Sequence, residues 1–217
     1  VRAVLRISAF QIVSVVACCF VAAAPEPLGR PTSEPYTGDL AIFEYADRDA
    51  KLQIERVMDL LGIHPGKNVA DIGAGSGWFS VRAARRVGPT GSVYAVEINR
   101  DYIGHIRRRA QAEHLANVHT VLGRAGNPLL PRSSVDAVLL LKTYHEVADP
   151  ISLLSHIREA MRPNAQLGII DKNGTGADHG LNADVVVREA TLAGFKLVEQ
   201  YDFVKADAMD YFLIFEP

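Results

Sequence analysis

The stretch VADIGAGSGWFS, from Val69 to Ser80, places three glycines within five residues directly after a short apolar run. Residues 68–72 read as a buried strand and residues 76–87 as a helix, so the glycines occupy a strand-to-helix turn. Gly73, Gly75 and Gly77 suit backbone that must bend sharply and admit a ligand without a Cβ in the way. A dinucleotide fingerprint, G-x-G-x-x-G, would need its third glycine at position 78, where Trp78 stands, and a large ring opposes that pyrophosphate geometry. No Gly-Lys-Ser/Thr follows, so the turn is not a P-loop.

The same alternation extends on both sides. A helix capped by Asp47 and running to about Leu61 precedes the turn, with Leu52, Val57, Leu60 and Leu61 on its apolar face. After the turn come strands over 92–98, 117–122, 135–141 and 166–171, with helices over 100–115, 150–161 and 182–193. Short apolar strands alternating with helices specify a parallel sheet covered on both faces. The closing strands, 195–204 and 209–215, are joined by only residues 205–208, and such a short link forces antiparallel pairing. The expected fold is α/β, doubly wound, with a mostly parallel seven-stranded sheet and one antiparallel strand near its edge. In such sheets ligands bind beyond the carboxyl ends of the strands, at the turn after the first one.

Composition agrees with one globular domain, here residues 47–217, since 48% of the 217 residues are apolar and 22% charged. A formal charge of -2 gives no footprint for nucleic acid. The chain's start differs. Arg2 and Arg6 precede 18 uncharged residues, 7–24, and Pro25-Glu26-Pro27 ends the run. Residues 1–24 therefore read as a signal peptide with Val21-Ala22-Ala23 as cleavage box, as a retained membrane anchor, or as a lipoprotein leader acylated at Cys18. Each of these delivers the remainder outside the cytoplasmic membrane, to the periplasm or the membrane's outer face, and limits membrane contact to this segment. Residues 25–46, with four prolines between Pro25 and Tyr36, read as an extended tether. Cys18 and Cys19 are the only cysteines, so the globular part has neither a disulfide nor a thiol nucleophile.

Glu97 ends the second strand, 24 residues after Gly73, where a carboxylate can accept hydrogen bonds from both hydroxyls of a ribose. Together with Trp78 this favours an adenosine without a pyrophosphate. At these residues the sequence resembles the class I S-adenosylmethionine-dependent methyltransferases: VADIGAGSG is similar to their first motif, VYAVEI to their second, VDAVLLLKTYHEV to their fourth-strand motif and MRPNAQLGIID to their fifth-strand segment. DRDAKLQIERVMDLLGIHPGKNVADIGAGSGWFS further resembles a branch of bacterial methyltransferase-like proteins, several with export signals. The resemblance implies S-adenosylmethionine as cofactor. Asp71 and the backbone of Gly73, Gly75 and Gly77 would meet its methionine part, Glu97 its ribose and Ile98 the adenine. Arg124 and Ala125 stand where the family often has an acid for the adenine amino group, leaving those contacts to backbone or Asn127. Lys142 would border the same pocket.

Methyl transfer from a sulfonium needs alignment and exclusion of water, and a base only when the acceptor must lose a proton. The segment Lys142-Thr143-Tyr144-His145-Glu146 leaves the fourth strand toward the crevice. His145 is the candidate general base and Tyr144 the candidate for orienting the acceptor, the alternative being that both form a pocket wall. Residues 172–182, KNGTGADHGLN, open on the same side and read as a mobile lid in which His179 could contact substrate. Trp78 is expected to pack its helix. No histidine spacing resembles a metal site, so no metal is expected. The absence of Asn-Pro-Pro-Tyr or Asp-Pro-Pro-Tyr disfavours methylation of DNA bases or glutamine, and a small-molecule acceptor is the expected partner. Two other classes compete: a non-catalytic module binding the sulfur nucleosides, and a nicotinamide oxidoreductase, which Trp78 opposes.

Overall fold

A computed structural model describes residues 29–217. The leader, its cleavage box and Cys18 lie outside the described residues, and among the described residues no helix is long and apolar enough to cross a membrane. Seven strands form one sheet: β1 (Asn68–Ile72), β2 (Ser92–Glu97), β3 (Val118–Leu122), β4 (Val135–Leu141), β5 (Met161–Asp171), β6 (Lys196–Tyr201) and β7 (Tyr211–Glu216). Their order is β3-β2-β1-β4-β5-β7-β6. β1 pairs in parallel with β2 and β4, and β7 alone runs antiparallel to both neighbours, one place in from the edge. The expected fold is therefore the observed one.

The order reverses direction between β1 and β4, which opens a crevice at their carboxyl ends. Strand alternation divides the core. Ala70, Ile72, Val138 and Leu140 face one side, under α5 (Pro150–Ala160) and α6 (Ala183–Leu192). Val69, Val93, Ala137 and Leu139 face the other, against α2 (Ile54–Leu60) and α3 (Trp78–Val87). Ile106 of α4 (Arg100–Ala112) packs on Ala74 and Ala95.

Three local expectations change. The helix foreseen over 47–61 is broken into α1 (Arg48–Leu52) and α2 by Gln53, at φ 50° and ψ 50°. In a continuous helix Leu52 and Ile54 would point ~200° apart; the left-handed residue between them lets both be buried. Asp47 caps neither piece with its side chain and pairs instead with Lys51. β5 starts at Met161, five residues earlier than its apolar run, because Met161 already pairs with Val135 across an irregularity.

The third change concerns the tether. From Arg30 onward it is laid down on the domain. The Arg30 guanidinium donates to buried Glu189 at 2.8 Å and to the carbonyls of Tyr144 and Val147 at 3.3 and 3.0 Å. Ser33 N–H donates to the His145 carbonyl at 3.2 Å, and Ser33 Oγ donates to the Gly176 carbonyl at 2.7 Å. Gly176 is required there, since a Cβ would fall 1.9 Å from the Pro31 carbonyl oxygen. Proline makes the segment extended; the buried ion pair and these bonds decide that it lies flat.

Candidate active site

The glycine turn is built from three left-handed residues, Gly73, Gly75 and Gly77, at φ 73°, 51° and 74°. A Cβ on Gly73 would fall 2.3 Å from Thr143 Cγ2, so the turn passes directly against the β4 segment. Above Gly75 there is room. Glu97, 7% exposed, locks the turn to the end of β2: its carboxylate accepts from Gly75 N–H at 3.0 Å, Ile98 N–H at 2.7 Å and Asn99 N–H at 2.9 Å. Three donors leave this carboxylate acceptor capacity for an incoming hydroxyl. Asp71 is buried and accepts from Ser80 Oγ at 2.5 Å. Burial pushes its pKa up to about 7, with Ser80 opposing the shift and the Glu97 charge adding to it.

These groups line one cavity of about 760 Å³, within the range of small-ligand sites. Asp71, Gly73, Gly75, Glu97, Ile98, Arg124, Ala125, Lys142, His145 and His179 all border it. Asn127 does not, its side chain instead accepting from Leu129 N–H at 2.8 Å, so the Arg124–Ala125 stretch faces that end. Lys142 leaves β4 at φ 55° and rests its ammonium 5.6 Å from the Phe43 ring centre. Trp78 packs into the core as expected and also borders the cavity, held between the guanidinium groups of Arg48 and Arg82 at 4.3 and 3.9 Å.

Opposite the glycine turn, His145 is 1% exposed. The Asp171 carboxylate, at the end of β5, accepts from His145 N–H at 3.1 Å and from Lys172 N–H at 2.9 Å, and lies 2.9 Å from His145 Nδ1. An acceptor-only partner fixes the proton on Nδ1, leaving Nε2 as the lone pair of the neutral ring. Nε2 is 3.8 Å from Glu146 Oε1. Glu146 is raised to about 7, chiefly by burial, with His145 and the Tyr36 N–H opposing. The His179 ring stands edge-on to that of His145 at 5.8 Å.

Tyr144 is not in the cavity. It is fully buried on the far side, its hydroxyl donating to Glu189 Oε2 at 2.8 Å, and burial raises its pKa well above the ordinary value. Its role is to receive the Arg30–Glu189 pair, and it cannot orient an acceptor. The loop read as a mobile lid is bonded throughout, with Gly176 N–H to Gly180 O at 2.7 Å, Thr175 N–H to Asp178 Oδ1 at 2.9 Å and His179 N–H to Ser33 Oγ at 3.0 Å. The two histidines and Glu146 meet although no sequence spacing links them, because two loops bring them together.

Sequence reading also missed the cavity's roof. Tyr36, Leu40, Ile42 and Phe43 border it from the segment read as a tether. Tyr36 N–H donates to Glu146 at 3.2 Å, and Tyr102 Oη donates to the Gly38 carbonyl at 2.8 Å. The available signal was the run of large apolar residues at 40–43, unusual for a free linker.

Among solved structures, the chain is similar to a SAM-dependent methyltransferase from Aquifex aeolicus at TM-score 0.73 and 21% identity, covering 82% of this chain and 98% of that one. Among curated proteins it is 32% identical over 119 residues to the 2-phytyl-1,4-naphtoquinone methyltransferase of Trichormus variabilis (54% of this chain, 52% of that protein). It is 28% identical over 114 residues to the nocamycin O-methyltransferase of Saccharothrix syringae (52% and 41%). The chain spans about half the length, or less, of these curated relatives. A family model described as a methyltransferase domain matches residues 63–203, from just before β1 through β6, and the chain belongs to that family.

Proposed function

We propose that the protein is an S-adenosylmethionine-dependent methyltransferase whose acceptor is a small molecule that gives up a proton. The observation that carries this reading is the shared cavity, with a glycine turn and Glu97 at one end and a histidine lone pair at the other. The cofactor, when bound, supplies a methyl group on a cationic sulfur. The residues present suit it: open space above Gly75, remaining acceptor capacity on Glu97, buried Asp71 for an ammonium, and exposed Ile98 as an apolar surface for the base. His145 Nε2 is placed to receive the acceptor's proton, and the roof of Tyr36, Leu40 and Phe43 excludes water. The curated relatives, a 2-phytyl-1,4-naphtoquinone methyltransferase and a nocamycin O-methyltransferase, favour a small-molecule acceptor.

Calorimetry with S-adenosylhomocysteine tests the reading directly. Glu97→Ala is expected to weaken binding by about 2 to 4 kcal/mol, because it removes charge-assisted bonds to the ribose and releases the Gly75 turn. No binding by the unaltered protein would sink both the enzyme and the non-catalytic module, while binding of NAD in its place would support the oxidoreductase. The charge order of residues 1–24 supports export of this domain; a reporter fused after Leu28 that stayed cytoplasmic would overturn it.

A further inference from the structure

We infer that His145, Glu146 and His179 form a binding site for one divalent transition-metal ion of the zinc class. Their donor atoms lie within 4.8 Å of one another. Neighbouring donors of a tetrahedral ion at 2.0–2.2 Å are about 3.4 Å apart, so side-chain rotations of the order of an ångström close the set. The two rings are nearly perpendicular, at 89°, and neither stacks on the other.

A second observation, independent of that clustering, is the support behind each donor. Both Asp171 oxygens are 2.9 Å from His145 Nδ1, and Asp171 is itself held by the His145 and Lys172 amides. A carboxylate on the far nitrogen is the arrangement that fixes a metal-bound imidazole and raises its basicity. His179 sits at φ 56° with its amide bonded to Ser33 Oγ, so its backbone is pinned by the same segment that roofs the cavity. Glu146 Oε1 faces His145 Nε2 at 3.8 Å and also accepts from the Tyr36 amide, a carboxylate oxygen having lone pairs for both an amide and an ion. A base alone requires His145 and Asp171; it gives no reason for Glu146 and His179 to converge on the same point.

Two imidazoles with one carboxylate select zinc, iron(II) or cobalt(II) over magnesium or calcium, which take oxygen sets. Three protein donors leave a position open on the cavity side. On the methyltransferase reading, and only there, an acceptor hydroxyl at that position loses its proton to solvent. Its oxygen then forms a bond to the methyl carbon as the carbon–sulfur bond breaks, and sulfur keeps the electron pair. With the ion bound, His145 Nε2 is a ligand and the ion acidifies the acceptor in its place; without the ion, the same lone pair is free to act as the base.

The test uses the untagged, chelator-treated full chain, titrated with cobalt(II) while visible absorption is recorded, and with zinc(II) in a calorimeter. One ion per chain is expected, with a tetrahedral or five-coordinate cobalt spectrum. His179→Ala and Glu146→Gln should each weaken binding by at least about tenfold, and Asp171→Asn by about 10- to 100-fold. S-adenosylhomocysteine affinity reports that each variant is folded. Failure to bind either ion, or binding unchanged in the His179→Ala/Glu146→Gln double variant, overturns the site. A protein that binds cobalt in this way but not S-adenosylhomocysteine keeps the metal site and loses the methyltransferase reading.

Discussion

Tyr144 and His145 are sequence neighbours that face opposite ways: the phenol goes down to Glu189 and the imidazole up to the cavity. Exchanging them in function would need a different register of the single helical turn over Tyr144–Glu146. Tyr144→Phe removes one buried bond to Glu189, which still holds Arg30, and should lower unfolding free energy by about 1 to 2 kcal/mol in urea while kcat is unchanged. His145→Ala should instead lower kcat by about 100-fold or more with S-adenosylhomocysteine affinity preserved. Equal loss of turnover and affinity would mean that His145 is only a wall. The fourth-strand motif made both residues legible as candidates. Which one faces the ligand was not, because a loop's direction depends on partners, Glu189 and Asp171, that are 45 and 26 residues away.

Among the elements, the sheet was readable because each strand is a short apolar run and the link near the end, expected at four residues and nine (202–210) in the structure, is too short for a parallel crossover. The roof over residues 30–43 was not readable, since it is held by long-range contacts, the Arg30–Glu189 pair together with bonds from Ser33 and Tyr36 to residues 145, 146 and 176. Arg30 reaches Glu189 across 159 residues, with side chains 10% and 1% exposed. Arg30→Ala leaves a buried carboxylate without its cation and should cost about 3 kcal/mol in urea unfolding. It should also expose residues 31–43 to limited proteolysis; an unchanged cleavage pattern would show that the segment is held by other contacts.

For the whole molecule, buried Asp71 couples folding to pH. It ionises near the ordinary carboxyl value of 3.8 when unfolded and at about 7 when folded. Between those values the folded chain keeps a proton that the unfolded chain has lost, so this group makes stability fall as pH rises from about 4 to about 7, then level off. Burial sets this shift, with Ser80 and Arg48 opposing it and Glu97 adding to it. Glu146 titrates over the same range, so the comparison is between the unaltered protein and Asp71→Asn, whose thermal midpoint should vary less across that interval. An ammonium placed beside Asp71 favours its ionised form, and ligand binding near pH 6.5 should therefore release a proton. Binding heats that are the same in buffers of different ionisation enthalpy would remove Asp71 from the ligand contact.

The recognisable family segment begins at residue 63, whereas the roof ends at Phe43. On the proposed reading, the cofactor's contacts and the acceptor's base lie inside the family segment, while part of the cavity's enclosure lies ahead of it. On that reading, substitutions among Tyr36, Leu40 and Ile42 are expected to change which acceptor fits while the glycine turn stays untouched. Trimming the chain to its family boundaries would leave the cavity without its roof.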